Sequence, residues 1–124
     1  MNGRFALLLH THPREHYDLV MDQPESDELA TWRISNEIIP NFTSLHARKI
    51  FDHRRAYLTY EGEVSNNRGR VKRIDEGTIV THRWTPDSID ITMSGSLISG
   101  RFKLSLIAHD NWRIARLDVP HATD

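Results

Sequence analysis

Two imidazoles and a carboxylate, His10, His16 and Asp18, lie six and two residues apart in this chain. Side chains of an extended strand alternate with period two, so even spacings put all three on one face. The connection Thr11 to Glu15 would set His10 opposite His16. Such a donor set, with positions left for water and substrate, suits Mn²⁺, Fe²⁺ or Zn²⁺ acting as a Lewis acid. His12 shares the parity and is a further candidate. Eight histidines in 124 residues make some close spacings inevitable. Pattern alone therefore balances a metal site against surface histidines.

His53 and Tyr57 are spaced i, i+4 and would share a face of a helix. An imidazole is a general acid or base near neutral pH, and a tyrosine hydroxyl can donate to an oxyanion. On residue types alone the same pair reads more readily as a packed aromatic beside a solvent-facing histidine.

The elements that must position these groups read mostly as strands. Phe5 to Thr11, Tyr17 to Met21 and Leu29 to Ile34 are apolar or alternating runs, the first two parted by a break at Pro13. Residues 35–47 carry no clear period. Arg48 to Tyr60 fits a short helix, because Ile50, Arg54 and Tyr57 fall at spacings of four and three. Then follow Gly69 to Ile74, Thr78 to Trp84, Ile89 to Met93, Ile98 to Ala108 and Trp112 to Leu117. Turn signals separate them, among them Asp75-Glu76-Gly77 and Thr85-Pro86-Asp87-Ser88. The tail after Leu117 reads as frayed. The fold class expected is all-β and mainly antiparallel, a small barrel with one or two short helices. Trp32, Trp84 and Trp112 each fall in a strand and are expected in the core.

A length of 124 residues fits one domain spanning 1–124. No apolar run approaches a membrane span, and residues 1–9 make a poor secretion signal, so the expectation is a cytoplasmic protein. Without cysteine, disulfides, thiolate metal sites and cysteine nucleophiles are excluded. Net charge is −1, yet residues 46–73 hold eight basic residues against three acidic ones. That asymmetry reads either as a solvated charged face or as a focus for a polyanion.

The ordered motifs resemble the 3′-phosphoesterase module at the amino end of bacterial ATP-dependent DNA ligase D. The apolar strand Phe5 to Leu9 leads into His10 and then His16-Tyr17-Asp18. Trp32, Asp52-His53 with Tyr57, Tyr60-Glu61-Gly62, Asp75 to Thr78, Gly95 to Phe102 and Asn111-Trp112 follow in the family's order. The resemblance implies a compact β-barrel and a manganese-dependent enzyme that trims ribonucleotides or phosphates from DNA 3′ ends. It places the metal ligands on His10, His16 and Asp18, favouring His10 over His12, with zinc as an alternative metal. It places the active-site pair on His53 and Tyr57.

The chain also departs from that pattern. Val20 and Leu45 stand where the family has phosphate-gripping arginines. The loop Val64 to Gly69 is short, and Ser35-Asn36-Glu37 replaces Pro-Lys-Gly. Since phosphate in a site needs charge-assisted donors, Arg14, Arg48, Arg54 or Arg55 must substitute, or the activity is weakened. No polymerase or ligase module fits in this length, so a separate ligase or polymerase would act in trans. Two other readings compete. His10-x-His12 with Glu15, and His53 as a fourth ligand, approximates a cupin metal site on a small molecule. A non-catalytic module binding DNA ends or a repair partner is the other.

Overall fold

The computed structural model describes residues 2–35 and 42–118, so Asn36 and Glu37 and the tail from residue 119 lie outside the described residues. Among the described residues there are nine strands: β1 (Asn2–His10), β2 (His16–Met21), β3 (Leu29–Ile34), β4 (Ser44–His53), β5 (Gly62–Glu63), β6 (Arg70–Trp84), β7 (Ser88–Gly95), β8 (Ser99–Ala108) and β9 (Asn111–Arg116). All ladders are antiparallel. Eight strands close in the order β1-β2-β3-β4-β9-β8-β7-β6, with β6 returning to β1, and the short β5 adds to the start of β6. Closure removes the unpaired edges of an open sheet. Among the described residues, no helix is long and apolar enough to cross a membrane.

Alternation sends one face of each strand inward. Phe5, Leu7, Leu19, Trp32, Ile91, Phe102 and Ile114 belong to the large core, where the Trp32 ring meets Trp112 edge-on at 5.5 Å and Trp84 at 6.3 Å. The opposite parity of β1 and β2 forms a second, smaller cluster outside the barrel wall: Ala6, Leu8, Val20, Leu29, Leu58 and Val71. Leu58 comes from a 3-10 turn, Arg55–Leu58, laid over this outer face.

Two expectations require correction. The segment Arg48 to Tyr60 is not a helix: β4 runs to His53, and only the four-residue 3-10 turn follows. Pairing with both β3 and β9 holds Arg48 in extended form and overrides a weak helical period. Asp75-Glu76-Gly77 is not a turn either, because β6 runs through it. The Asp75 carboxylate accepts from the backbone N–H groups of Ser96, Leu97 and Ile98, which are 2.9, 2.9 and 2.7 Å away in the β7–β8 connection. Gly77 and Gly95 make room for this clamp. A Cβ at Gly77 would sit 2.0 Å from the Ser94 carbonyl oxygen, and one at Gly95 would sit 2.5 Å from Asp75 Oδ2.

Candidate functional site

The outer face of β1 and β2 turns polar where its apolar cluster ends. In the β1–β2 ladder Leu8 lies opposite Asp18 and His10 opposite His16, so the three chemistry-bearing side chains emerge together beside Val20 and Leu8. Their nearest donor atoms all lie within 4.8 Å of one another. His16 and Asp18 are buried, and His10 is partly so.

The two imidazoles are oriented by backbone. His10 Nε2 lies 2.7 Å from the Arg68 carbonyl and His16 Nδ1 lies 2.7 Å from the Arg14 carbonyl. A carbonyl can only accept, so these nitrogens carry the protons, and in the neutral rings His10 Nδ1 and His16 Nε2 present lone pairs toward Asp18. The inward atoms surround a point without touching: His10 Nδ1 is 3.7 Å and His16 Nε2 is 3.4 Å from the carboxylate. His16 Nε2 and Asp18 Oδ1 are buried with no hydrogen-bond partner. Ligand bonds of roughly 2.0–2.2 Å put donors of one ion about 3–3.5 Å apart, close to these separations, so a small inward shift of the side chains would let the set hold a divalent cation. Backbone-oriented histidines are the usual outer support of such sites.

His53 reaches the same face through an irregularity. Thr31 pairs with Ile50 but Leu29 pairs with His53, so β4 carries one residue more than β3 between these pairs. A regular ladder would put Asp52 opposite Leu29. The extra residue re-aims His53 toward the site, a common use of a bulge, while Asp52 is taken up by Gln23 and Lys49. His53 Nε2 stands 3.9 Å from Asp18 Oδ2, and Nδ1 donates to the Phe51 carbonyl at 3.1 Å. Burial pushes its pKa below the ordinary histidine range, and the Asp18 charge recovers only part of that. Tyr57 meets the His53 ring edge-on at 5.4 Å, but from the 3-10 turn rather than from a shared helix.

A cleft of about 570 Å³ opens over this face, lined by His10, His12, Arg33, His53, Arg54, Tyr57 and Arg68 among others. Of the four arginines expected to replace the missing phosphate grip, Arg54 lines the cleft and Arg14 lines an adjoining groove. Arg48 is paired with Asp110 and Arg55 with Asp22, and neither lines this cleft. Leu45 packs against the large core, and Val20 is sealed in the outer cluster. His12 lines the cleft and Glu15 the adjoining groove, yet neither joins the donor cluster found among the described residues, which disfavours the cupin arrangement.

Two further cations join the cleft: Arg33, which sequence reasoning missed, and Arg68, which it placed only within the basic stretch 46–73. Arg33 lies directly opposite Asp18 across the β2–β3 ladder, its Nε 3.6 Å from Oδ1 and without a hydrogen-bond partner. Alternation from Asp18 through the β2–β3 hairpin was the signal that could have found it. Arg68 lies on the loop before β6. Gly69, at φ +79°, lets that loop approach β1, since a Cβ there would fall 2.5 Å from Thr11 Oγ1 and 2.8 Å from His12 Cβ. A model of the DNA ligase D 3′-phosphoesterase domain family matches residues 9–106. No curated protein matches the chain.

Proposed function

The chain belongs to the DNA ligase D 3′-phosphoesterase domain family, and from that premise we propose that it hydrolyses phosphate esters at DNA 3′ ends, removing 3′ phosphates or ribonucleotides during repair. One observation carries this reading: a donor cluster with preset imidazole tautomers opens into a cleft lined by Arg33, Arg54 and Arg68. His10 Nδ1, His16 Nε2 and Asp18 would hold a divalent metal. Two nitrogens and one carboxylate suit Mn²⁺, Fe²⁺ or Zn²⁺, and among these the family resemblance favours Mn²⁺, with Zn²⁺ as the alternative. When bound, the metal supplies Lewis-acid polarisation of the phosphoryl group and a more acidic water.

The chain's own residues do the rest. Arg33, Arg54 and Arg68 hold the phosphate and offset its charge, doing by cross-strand register and loop placement what arginines at 20 and 45 do in the family. Neutral His53 exchanges a proton at Nε2, with Nδ1 fixed by the Phe51 carbonyl. Tyr57 steadies the His53 ring and offers its hydroxyl to the phosphate. A ligase or polymerase would act separately on the trimmed end in the cytoplasm.

The test is end processing. Duplexes ending in a 3′ phosphate or a 3′ ribonucleotide are incubated with the protein and Mn²⁺, Mg²⁺, Zn²⁺ or chelator. Shortening or dephosphorylation of the primer strand that requires metal is expected. Metal-loaded protein that binds these ends and leaves all of them intact would defeat the enzymatic reading and favour a binding module.

A further inference from the structure

The Phe51 side chain stands at the cleft and, unlike the Phe51 carbonyl that holds His53, has no part in the chemistry above. It is 74% exposed, more than any other large hydrophobic side chain among the described residues. Yet it lines the same cleft as Arg33, His53, Arg54 and Arg68. Its ring lies nearly parallel to the His53 imidazole, centroids 5.0 Å apart and planes 15° apart. One face is therefore covered by His53, and the exposure belongs to the other. Support continues behind it: His53 meets Tyr57 edge-on, and Tyr57 meets Tyr60 edge-on at 6.0 Å. A phenyl ring buttressed from one side and open on the other is a stacking surface rather than a mobile side chain.

The surroundings select the occupant. Arg33, Arg54 and Arg68 favour an anion next to the ring, and the open face favours a flat π system. A nucleotide joins these two, a heterocycle linked through a sugar to phosphate. We infer that Phe51 is the platform for the nucleobase of the 3′-terminal nucleotide, the base lying on its open face while the terminal phosphate faces the cleft arginines. The inference rests on the proposed action at 3′ ends and adds a specificity to it. A base can lie on Phe51 only after leaving its neighbours in the duplex, so frayed or single-stranded 3′ ends are preferred over paired, blunt ones.

The experiment uses 5′-labelled single strands carrying a 3′ phosphate, identical except that the terminal nucleotide has a base or is abasic. Binding is followed by fluorescence anisotropy, in chelator and again in Mn²⁺, for wild type, Phe51→Ala and Phe51→Trp. Wild type should bind the base-bearing end about tenfold or more tightly than the abasic one. Phe51→Ala should bind both ends as wild type binds the abasic end, and Phe51→Trp should restore the difference. Competition by inorganic phosphate should be the same for wild type and Phe51→Ala. Equal binding of the two ends by wild type, or a preference that survives Phe51→Ala, overturns the inference. So does concentration-dependent self-association that vanishes in Phe51→Ala without any preference between ends, which would assign the ring to a second copy of the chain. Discrimination between ends without cleavage upholds the platform and sinks the esterase reading. Cleavage of both ends alike by wild type and Phe51→Ala sinks the platform and leaves the esterase reading in place.

Discussion

His53 touches the donor cluster without completing it, and this placement separates two roles that a histidine beside a metal site can play. Its Nε2 is 3.9 Å from Asp18, while the atoms that converge within 4.8 Å come from His10, His16 and Asp18. His53→Ala should therefore lower 3′-end processing by about 10²-fold or more and change Mn²⁺ affinity little. Single-turnover assays beside a calorimetric metal titration check this, and a collapse of metal affinity would make His53 a ligand. Val20 argues in another direction. Restoring the family's arginine looks like a rescue when only sequence is considered, but Val20 is fully buried among Ala6, Leu8, Leu29, Leu58 and Val71. A guanidinium there has no partner in the cluster and must open it. Val20→Arg should cost about 3 kcal/mol or more without raising activity, as read by urea unfolding and end processing. A variant as stable as wild type and more active would mean that the outer cluster parts easily to admit a cation.

At the scale of elements, the site depends on segments that carry no chemistry. The loop before β6 delivers the Arg68 carbonyl to His10 Nε2, and Gly69 permits that approach. Gly69→Ala, strained by both φ and contact, should weaken Mn²⁺ binding on the order of tenfold by loosening one ligand's orientation, while leaving far-ultraviolet circular dichroism unchanged. The Asp75 clamp is structural by contrast. Asp75→Ala should destabilise the barrel by about 3 kcal/mol or more, since three backbone donors of the β7–β8 connection lose a charged acceptor. Metal affinity of the remaining folded protein should not change. These cases explain what was legible in the sequence. The trio His10, His16 and Asp18 belongs to one hairpin, so local alternation and the family motif expose it. Strands with clean alternation, such as β7 and β9, were legible for the same reason. In β4 a one-residue bulge breaks the period, which turned a strand into an apparent helix and hid how His53 reaches the site. Asp75-Glu76-Gly77 looked like a turn because its turn-forming residues serve contacts with a distant connection. Arg33 depends on register across a hairpin and Arg68 on a loop's approach, neither of which composition records.

Across the whole molecule, the basic stretch 46–73 is less available to a polyanion than its composition suggests. Arg48, Arg55, Arg70 and Arg73 face carboxylates of Asp110, Asp22, Glu63 and Glu76, and Lys49 leans on Asp52 and over the Trp32 ring. Lys72 lines a separate pocket with Glu61; Arg54 and Arg68 remain at the cleft, joined by Arg33 from β3 and by Arg14 in the adjoining groove. About four phosphate contacts should give a slope of log affinity against log salt near −3 for a single strand, whereas eight engaged cations would give nearly −6. Arg54→Ala should weaken binding and make the slope shallower by roughly 0.7. Arg55→Ala should leave both unchanged and cost at most about 1 kcal/mol of stability, because Asp22 lies away from the cleft and keeps the Arg4 N–H as a partner, and Arg55 itself is half exposed. Anisotropy titrations across a salt series measure all three quantities. A slope near −6, with Arg55→Ala weakening binding as much as Arg54→Ala, would mean that nucleic acid draws the paired arginines off their carboxylates, and the binding face would then extend past the cleft to the Asp22 side of the barrel.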